Sequence, residues 1–299
     1  MKRVAWVMVT HNGGEEVLQA LQTLEADLGP GDRIILVDNG SEDHSATIAN
    51  DRFSRLSVIG TGANLPYAEA NNLGVRRALR EGYWFIGLIN PDVRVTTGMT
   101  ESLLHEISIR SRPVVVSPWI DYPNGRTWFG GGRIHWAVGW IGHRGLIFPQ
   151  QKETLKVRPT DYVSGCCFLT TSKVWSRVGP LSGRYGMYVE DVDWSHRARM
   201  RGVHLFVTPA ARLVHNVSSS SGGGRTALKM KYRTRAGKLF FRRNTPGYLT
   251  PFQFLLHPLI VWAYAVFLSM KTTPSAFRAY LQASIKPVKE TLPWPPNAA

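Results

Sequence analysis

Acidic residues are missing from the last third of this 299-residue chain: between positions 195 and 289 there are 16 Lys and Arg and no Asp or Glu. Residues 1–194 hold 20 of each sign, so the net formal charge of +15 arises in the tail. A segment of one sign seeks a polyanion, whether a diphosphate, an anionic lipid surface or a nucleic acid. Cysteine is nearly absent as well. Only Cys166 and Cys167 occur, and adjacent cysteines rarely bridge because the local geometry is strained. A disulfide framework and a Cys-based zinc site are therefore excluded, and a reducing cytoplasm fits best. No G-x-G-x-x-G turn follows the first apolar run, which leads into Thr10-His11-Asn12-Gly13-Gly14; this disfavours a dinucleotide-dependent oxidoreductase. Long apolar runs are scarce. Residues 4–9 after Lys2-Arg3 are too few for a signal peptide and read as a strand. Residues 252–270 are apolar but interrupted by His257-Pro258, and the dozen residues that follow fall short of the roughly 20 that span a bilayer. There is no internal repeat.

What is present describes a folded chain. Hydrophobic residues make up 43% and tryptophan occurs ten times, which argues against disorder. The length suits one large domain or two small ones. Strand and helix patterns alternate through the first half: strand Val4–Thr10, helix 15–28 stopped by Gly29-Pro30-Gly31, strand Arg33–Asp38, a helix toward Asn50, strand Leu56–Gly60, helix Tyr67–Arg80, strand 83–89, helix 99–109 and strand 114–117. Continuous apolar strands in repeated βα units predict an α/β fold, a mostly parallel sheet covered by helices on both faces. Residues 119–150, rich in Gly, Trp and Arg, read as loops and short antiparallel strands at the edge. Strand 163–171, helices 172–178 and 189–201 and strand 203–207 follow, and then Ser218 to Gly224, a flexible stretch suited to a loop that orders on binding.

Polar clusters punctuate the strand ends. In Asn90-Pro91-Asp92 the proline stops a central strand and presents Asp92 at the edge where open α/β sheets bind ligands. A carboxylate there suits a hard divalent cation holding a diphosphate, although Asn-Pro-Asp is also ordinary turn chemistry. Asp38, ending the second strand, can accept from a ribose or base edge, or can pair with Ser41 in capping helix amides. Between Asn64 and Gly74, Asn71 and Asn72 sit mid-helix against propensity, as amides engaging a ligand or the backbone would. Glu190, Asp191 and Asp193 open a helix, where N-terminal amides offset part of their mutual repulsion. One of them, desolvated by Trp194 and Tyr188, could alternatively serve as general base. His215 ends an apolar strand, a structural position unless a carboxylate-held metal lies beside it.

Taken in order, Val9-Thr10-His11-Asn12, Val37-Asp38-Asn39-Gly40-Ser41, Asn64 to Gly74, Leu88-Ile89-Asn90-Pro91-Asp92, Gly165, Glu190-Asp191-Val192-Asp193 and His215 resemble the inverting family 2 glycosyltransferases of the GT-A fold. The similarity is greatest to the rhamnosyltransferase and galactofuranosyltransferase-like branch and covers roughly residues 3–245. The resemblance implies a Rossmann-like sheet, a nucleotide-diphosphate sugar donor (dTDP-rhamnose-like or a UDP sugar) and a divalent cofactor, Mg²⁺ or Mn²⁺. By the same likeness Asp38 contacts the nucleotide, with Thr10, Asn12, Asn64, Asn71 and Asn90 in the donor pocket. Asp92 binds the metal, His215 completes its shell or touches phosphate, and Asp191 deprotonates the acceptor hydroxyl, with Glu190 on the acceptor side. The chain departs from the family in three places. Asn90 stands where Asp-x-Asp has its first carboxylate, His11 where an aromatic is usual, and Pro66-Tyr67 where Gly-Phe is common.

The tail refines the expected partners. Residues 225–243 carry eight cations, suited to diphosphates or anionic lipid. Trp262 and Tyr264 suit an interfacial helix, with core packing, oligomer contact and a true span as the other readings of 252–270. Together these favour a glycan or polyprenyl-diphosphate-linked acceptor and a cytoplasmic enzyme, peripheral on the inner face of the plasma membrane. Trp136 and Trp140 of the aromatic insert are the candidates for stacking on acceptor sugar. Domain boundaries are expected at 1–245 for the transferase and 246–299 for a helical extension. The rival reading, a polyanion or nucleic-acid binder, leaves the strand-end carboxylates unexplained, so no nucleic acid is expected.

Overall fold

The computed structural model describes residues 3–145, 156–216 and 226–293. The Ser218 to Gly224 stretch lies outside the described residues, as does Arg225 of the basic run. In chain order the elements are β1 (Val4–Thr10), α1 (Gly14–Ala26), β2 (Arg33–Asp38), α2 (Ser45–Arg52), β3 (Leu56–Gly60), α3 (Tyr67–Arg80), β4 (Phe85–Ile89), β5 (Val93–Val95), α4 (Met99–Ser108) and β6 (Val114–Asp121). Then come β7 (Thr127–Phe129), β8 (Gly132–His135), β9 (Trp140–His143), β10 (Arg158–Pro159), β11 (Cys167–Thr171), α5 (Ser172–Val178), α6 (Glu190–Met200) and β12 (His204–His215). Three helices follow among the described residues: α7 (Ala227–Asn244), α8 (Thr250–Lys271) and α9 (Pro274–Ile285).

The α/β expectation holds. The order β3-β2-β1-β4 is parallel throughout, and beyond β4 the sheet is mixed: β11 runs antiparallel between β4 and β6, and β12 lies parallel to β6. Successive residues of β1 enter different cores. Val4, Trp6 and Met8 pack with α1, α2, α4 and α7, whereas Ala5, Val7 and Val9 pack with α3, α5 and α6. Burial on both faces is why the strand reads as an unbroken apolar run.

The register sets up the site. Thr10 lies opposite Asp38, Met8 opposite Ile89, and Cys167 opposite Ile89. The C-terminal ends of β1, β2 and β4 and the beginning of β11 therefore share one edge. Four expected strands change length, with β4 starting at Phe85 instead of 83 and β6 running to Asp121 instead of 117. β11 starts at Cys167 instead of 163, because residues 164–167 form a turn closed by the Cys167 N–H on the Ser164 carbonyl, 3.2 Å. β12 runs on to His215, absorbing Pro209 in a register shift between Thr208 and Arg212, a bulge being where a sheet tolerates proline. The helix after residue 250 also differs from expectation. It passes through Pro258 without ending, because Gln253 and His257 fasten its inner side to the protein (Gln253 Nε2 to the Trp136 carbonyl, 2.7 Å).

Candidate active site

A strand of three residues places the first pair of side chains. β5 follows Asp92 directly and pairs antiparallel with β12, setting Val93 opposite His215. The Asn216 N–H donates to the Asp92 carbonyl, 2.8 Å. His215 Nε2 then stands 3.0 Å from Asp92 Oδ1. Among the described residues neither Oδ1 nor His215 Nδ1 has an aligned hydrogen-bond partner, although both are buried. Trp128 closes over the imidazole edge-on, with ring centroids 4.5 Å apart, and His143 meets the same indole at 5.0 Å. Burial, with Arg233 next, pushes His143 down to about 3, so it stays neutral. Among the described residues no three His, Cys, Asp or Glu side chains converge in a way that could hold a metal. Asp92 and His215 form a pair only.

A second cluster adjoins the first through Tyr67. Its hydroxyl lies 3.0 Å from Asn90 Oδ1 and 3.1 Å from the Gly165 carbonyl, and its one proton can go to either. Asn71 Nδ2 donates to the Tyr67 carbonyl one turn back, 2.9 Å, which fixes the start of α3. Asn72 pairs with both backbone groups of Leu181, at 2.9 Å each. The two mid-helix amides are thus committed to backbone. From the far side of Gly165, its N–H donates to Asp191 Oδ2 at 2.8 Å, while Asp191 Oδ1 accepts from the Val192 N–H at 2.8 Å.

The structure sorts the three carboxylates of α6. Asp193 turns inward, accepting from the Tyr185 hydroxyl (2.7 Å) and from Arg197 Nε (2.8 Å). Glu190 is buried at 8% exposure, and its Oε2 has no hydrogen-bond partner among the described residues. Burial, with the adjacent Asp191 carboxylate next, pushes Glu190 up to about 8. Asp191 is also raised by burial, but the N–H groups of Gly165 and Val192 pull the other way. At about 8 the Glu190 carboxyl holds its proton near neutral pH. Trp194 stacks on Phe168 in the opposite core, and its Nε1 donates to the Gly179 carbonyl. The turn into α6 is strained, with Tyr188 and Val189 at φ 69° and 72°. For a β-branched residue this is an outlier costing about 1–3 kcal/mol, a kind of strain that clusters at functional sites.

The β1 and β2 ends form a third cluster. Asp38 Oδ1 accepts from the Ser41 N–H (3.1 Å), and the Glu42 N–H donates to Asn12 Oδ1 (2.8 Å). Buried Asn39 holds the opposite wall, donating to Asn64 Oδ1 (3.1 Å) and the Leu65 carbonyl (2.9 Å). Gly40 sits between them at φ 76°, where a Cβ would come within 2.8 Å of the Ala63 carbonyl carbon. Asp38, Asn12 and Asn64 are thereby brought together at one rim. Thr10 is not at that surface: it is 1% exposed, and Gly13 lies close enough that a Cβ there would stand 2.3 Å from its hydroxyl.

The aromatic insert is divided differently from expectation. Trp136 packs on Phe240 and Phe241 of α7 at 5.5 and 5.8 Å, and Trp140 meets Tyr264 of α8 at 4.8 Å. Both indoles serve helix packing in this structure, and the tryptophan at the site is Trp128. Two further site residues come from α7. Lys229 is buried; that burial pulls its pKa down while the Asp92 charge acts in the opposite sense. Arg233, one turn later, places its guanidinium 5.8 Å from the Tyr188 ring centre, and its charge opposes the rise at Asp191. Their spacing of four residues within a run lacking acids was the available signal.

Comparison with known proteins agrees with this geometry. Residues 5–177 match the family model described as glycosyl transferase family 2. An N-acetylglucosaminyl-diphospho-decaprenol L-rhamnosyltransferase of Mycobacterium tuberculosis is 28% identical over 235 residues, covering 72% of this chain and 76% of the relative. Among solved structures, the mannosyltransferase PcManGT of Pyrobaculum calidifontis, in complex with GDP-Man and Mn²⁺, superposes with a TM-score of 0.59 at 14% identity, over 94% of this chain and 79% of that one. GalNAc-T7 with UDP, GalNAc and Mn²⁺ gives 0.60 at 16% identity over 80% of this chain, which spans 48% of that enzyme.

Proposed function

Because the chain belongs to glycosyl transferase family 2, we propose that it moves a sugar from a nucleotide-diphosphate sugar to a hydroxyl of a polyprenyl-diphosphate-linked glycan, with inversion at the anomeric carbon. The observation that carries this reading is the pairing of an Asp92–His215 couple with a separately held Asp191, joined through Asn90, Tyr67 and Gly165. The relative from Mycobacterium tuberculosis supports the acceptor class and a rhamnose-like donor.

Asp92 Oδ1 and His215 Nε2 fit a divalent cation. At 3.0 Å apart the two would hold the ion together, since such ions take one or two protein ligands and complete their shell with water and phosphate. When bound, Mg²⁺ or Mn²⁺ supplies charge neutralisation for the departing diphosphate. The Mn²⁺ bound with PcManGT and with GalNAc-T7 supports use of a divalent metal. Asp38, Asn12 and Asn64 take the nucleotide and ribose, while Asn90, oriented by Tyr67, takes the donor beside the diphosphate. Thr10 and Asn71 support this pocket from beneath.

Asp191 accepts the proton of the acceptor hydroxyl. The freed oxygen forms the bond to the anomeric carbon as the bond from that carbon to the β-phosphate oxygen breaks, and the nucleoside diphosphate leaves with that electron pair. No protein nucleophile is needed in a single displacement. Glu190, holding its proton, leaves Asp191 as the charged base and offers a donor to the acceptor. Lys229 and Arg233 add positive charge where phosphate oxygens gather.

A thermal-shift panel of dTDP, UDP, GDP and CMP sugars, each with and without Mn²⁺, tests the proposal. A ligand at about 100 times its Kd adds about 2.7 kcal/mol, and one nucleotide class is expected to do so only with metal. No shift from any nucleotide with metal present would sink it.

A further inference from the structure

Helix α8 reverses the polarity of an ordinary surface helix, which turns its apolar stripe to the core. Its polar side chains face the protein. Gln253 Nε2 donates to the Trp136 carbonyl (2.7 Å) and to Thr245 Oγ1 (2.9 Å), His257 Nδ1 lies 3.0 Å from the Val138 carbonyl, and Tyr264 packs on Trp140. Facing outward are Phe252, Leu255, Leu259 and Trp262, exposed by 54%, 70%, 62% and 70%. Their spacing of three, four and three residues puts them on one stripe. Between Thr250 and Met270 there is no Asp, Glu, Lys or Arg. A contiguous apolar surface of this kind marks a partner or a membrane.

We propose that this stripe docks the protein onto an acidic membrane surface, with α8 lying in the boundary between headgroups and acyl chains. Charge favours that occupant. Helices α7, α8 and α9 contain no acidic residue, Arg278, Lys286 and Lys289 are exposed, and Glu290 just beyond is engaged by Arg242 and Arg243. Anionic lipid attracts such segments, and a Trp- and Leu-rich stripe inserts beside them. Two copies of a chain of charge +15 meet with repulsion instead.

Residues 247–267 are long and apolar enough, by length and composition, to cross a bilayer. Packing argues for lying flat. Contacts from Gln253 to Tyr264, together with the Tyr280 hydroxyl on the Val261 carbonyl (3.3 Å), fasten one side of α8 to the rest of the fold. A spanning helix would have to surrender them.

The docking stands on α8 alone; only its consequence for the acceptor rests on the proposed transfer. Helix α8 grips the turn at Trp136, Trp136 packs on α7, and α7 carries Lys229 toward Asp92. A bilayer-held diphosphate acceptor would thus be presented close to the site without leaving the membrane.

The test is flotation of the full chain with vesicles of phosphatidylcholine alone and of phosphatidylcholine mixed with phosphatidylglycerol, at low and high salt. Binding to the acidic vesicles is expected to exceed binding to the neutral ones by about tenfold or more and to weaken with salt. The double variant Leu255→Gln/Trp262→Gln should lose about tenfold or more of that binding while its melting temperature and nucleotide-induced thermal shift hold. Absence of the wild-type chain from floated vesicles of both kinds would overturn the docking, as would equal flotation of wild type and variant. A wild-type dimer by light scattering that the variant dissolves, without flotation, would assign the stripe to a second copy and overturn it too. Flotation without any nucleotide shift leaves the docking standing and the transferase reading fallen; a nucleotide shift without flotation does the reverse.

Discussion

His215 Nε2 and Asp92 Oδ1 stand 3.0 Å apart, yet neither makes an aligned hydrogen bond with the other. A buried carboxylate oxygen in that position is costly unless something else satisfies it. Replacing Asp92 with Ala is expected to abolish the Mn²⁺-dependent part of donor binding and to leave the metal-independent part. Calorimetric titration of the nucleotide with and without EDTA checks this. Equal metal dependence in wild type and variant would refute the ligand role.

Asp191→Asn keeps the shape of the side chain and removes the proton acceptor. A general base contributes about 10²–10⁴-fold, so kcat should fall by that range while donor affinity stays within about twofold. Asp193→Asn is expected to behave in the opposite way. Its carboxylate is spent on Tyr185 and Arg197, so the melting temperature should drop and the residual folded enzyme should still turn over. Near-normal turnover in Asp191→Asn would remove the base assignment.

Glu190 gives a pH-dependent stability of definite sign. Its carboxyl is raised from 4.5 to about 8 by burial, then by Asp191. The folded state therefore binds this proton more tightly than the unfolded chain does. The contribution is fully present below pH 4.5 and is lost as the pH rises to about 8. Glu190→Gln, which cannot ionise, should flatten the fall in melting temperature across that window. Parallel curves for the two proteins would show that the carboxyl does not hold the proton.

Lys229→Met preserves length and apolar volume while deleting the charge that senses Asp92. Loss of a hydrogen bond to a charged group costs about 1.5–3 kcal/mol, so nucleotide-diphosphate affinity should weaken by about 10–100-fold. The matching nucleoside, which has no diphosphate, should bind the variant and the wild type alike. An unchanged diphosphate affinity would take Lys229 out of the donor pocket.

Much of the fold was legible because buried parallel strands leave long apolar runs, and β1, β2, β3 and α3 appear with the bounds that their patterns predict. Strand β5 was not legible. Three residues, Val93–Val95, are too few to show a period, yet they bring Asp92 to His215. Pro258 was misleading for a different reason: losing one backbone donor does not end a helix whose inner side is already anchored. The carboxylates of α6 could be recognised as a group but not divided. Which of them faces inward depends on Tyr185 and Arg197, and which is clasped depends on the Gly165 turn, a tertiary relationship with no local signature. Likewise, neighbouring tryptophans look alike in sequence, and only the packing of α7 and α8 separates Trp128 from Trp136 and Trp140.

The pairing of β5 with β12 also sets an order of assembly. On a ribosome the proposed nucleotide rim is not the limiting part: Asn12, Asp38 and Asn64 are made early, and β1, β2 and β3 are parallel neighbours. The Asp92–His215 couple must wait until residue 215 has left the tunnel and β12 has docked beside β6. The proposed metal pair is therefore complete only after the residues of the proposed nucleotide rim have long been made.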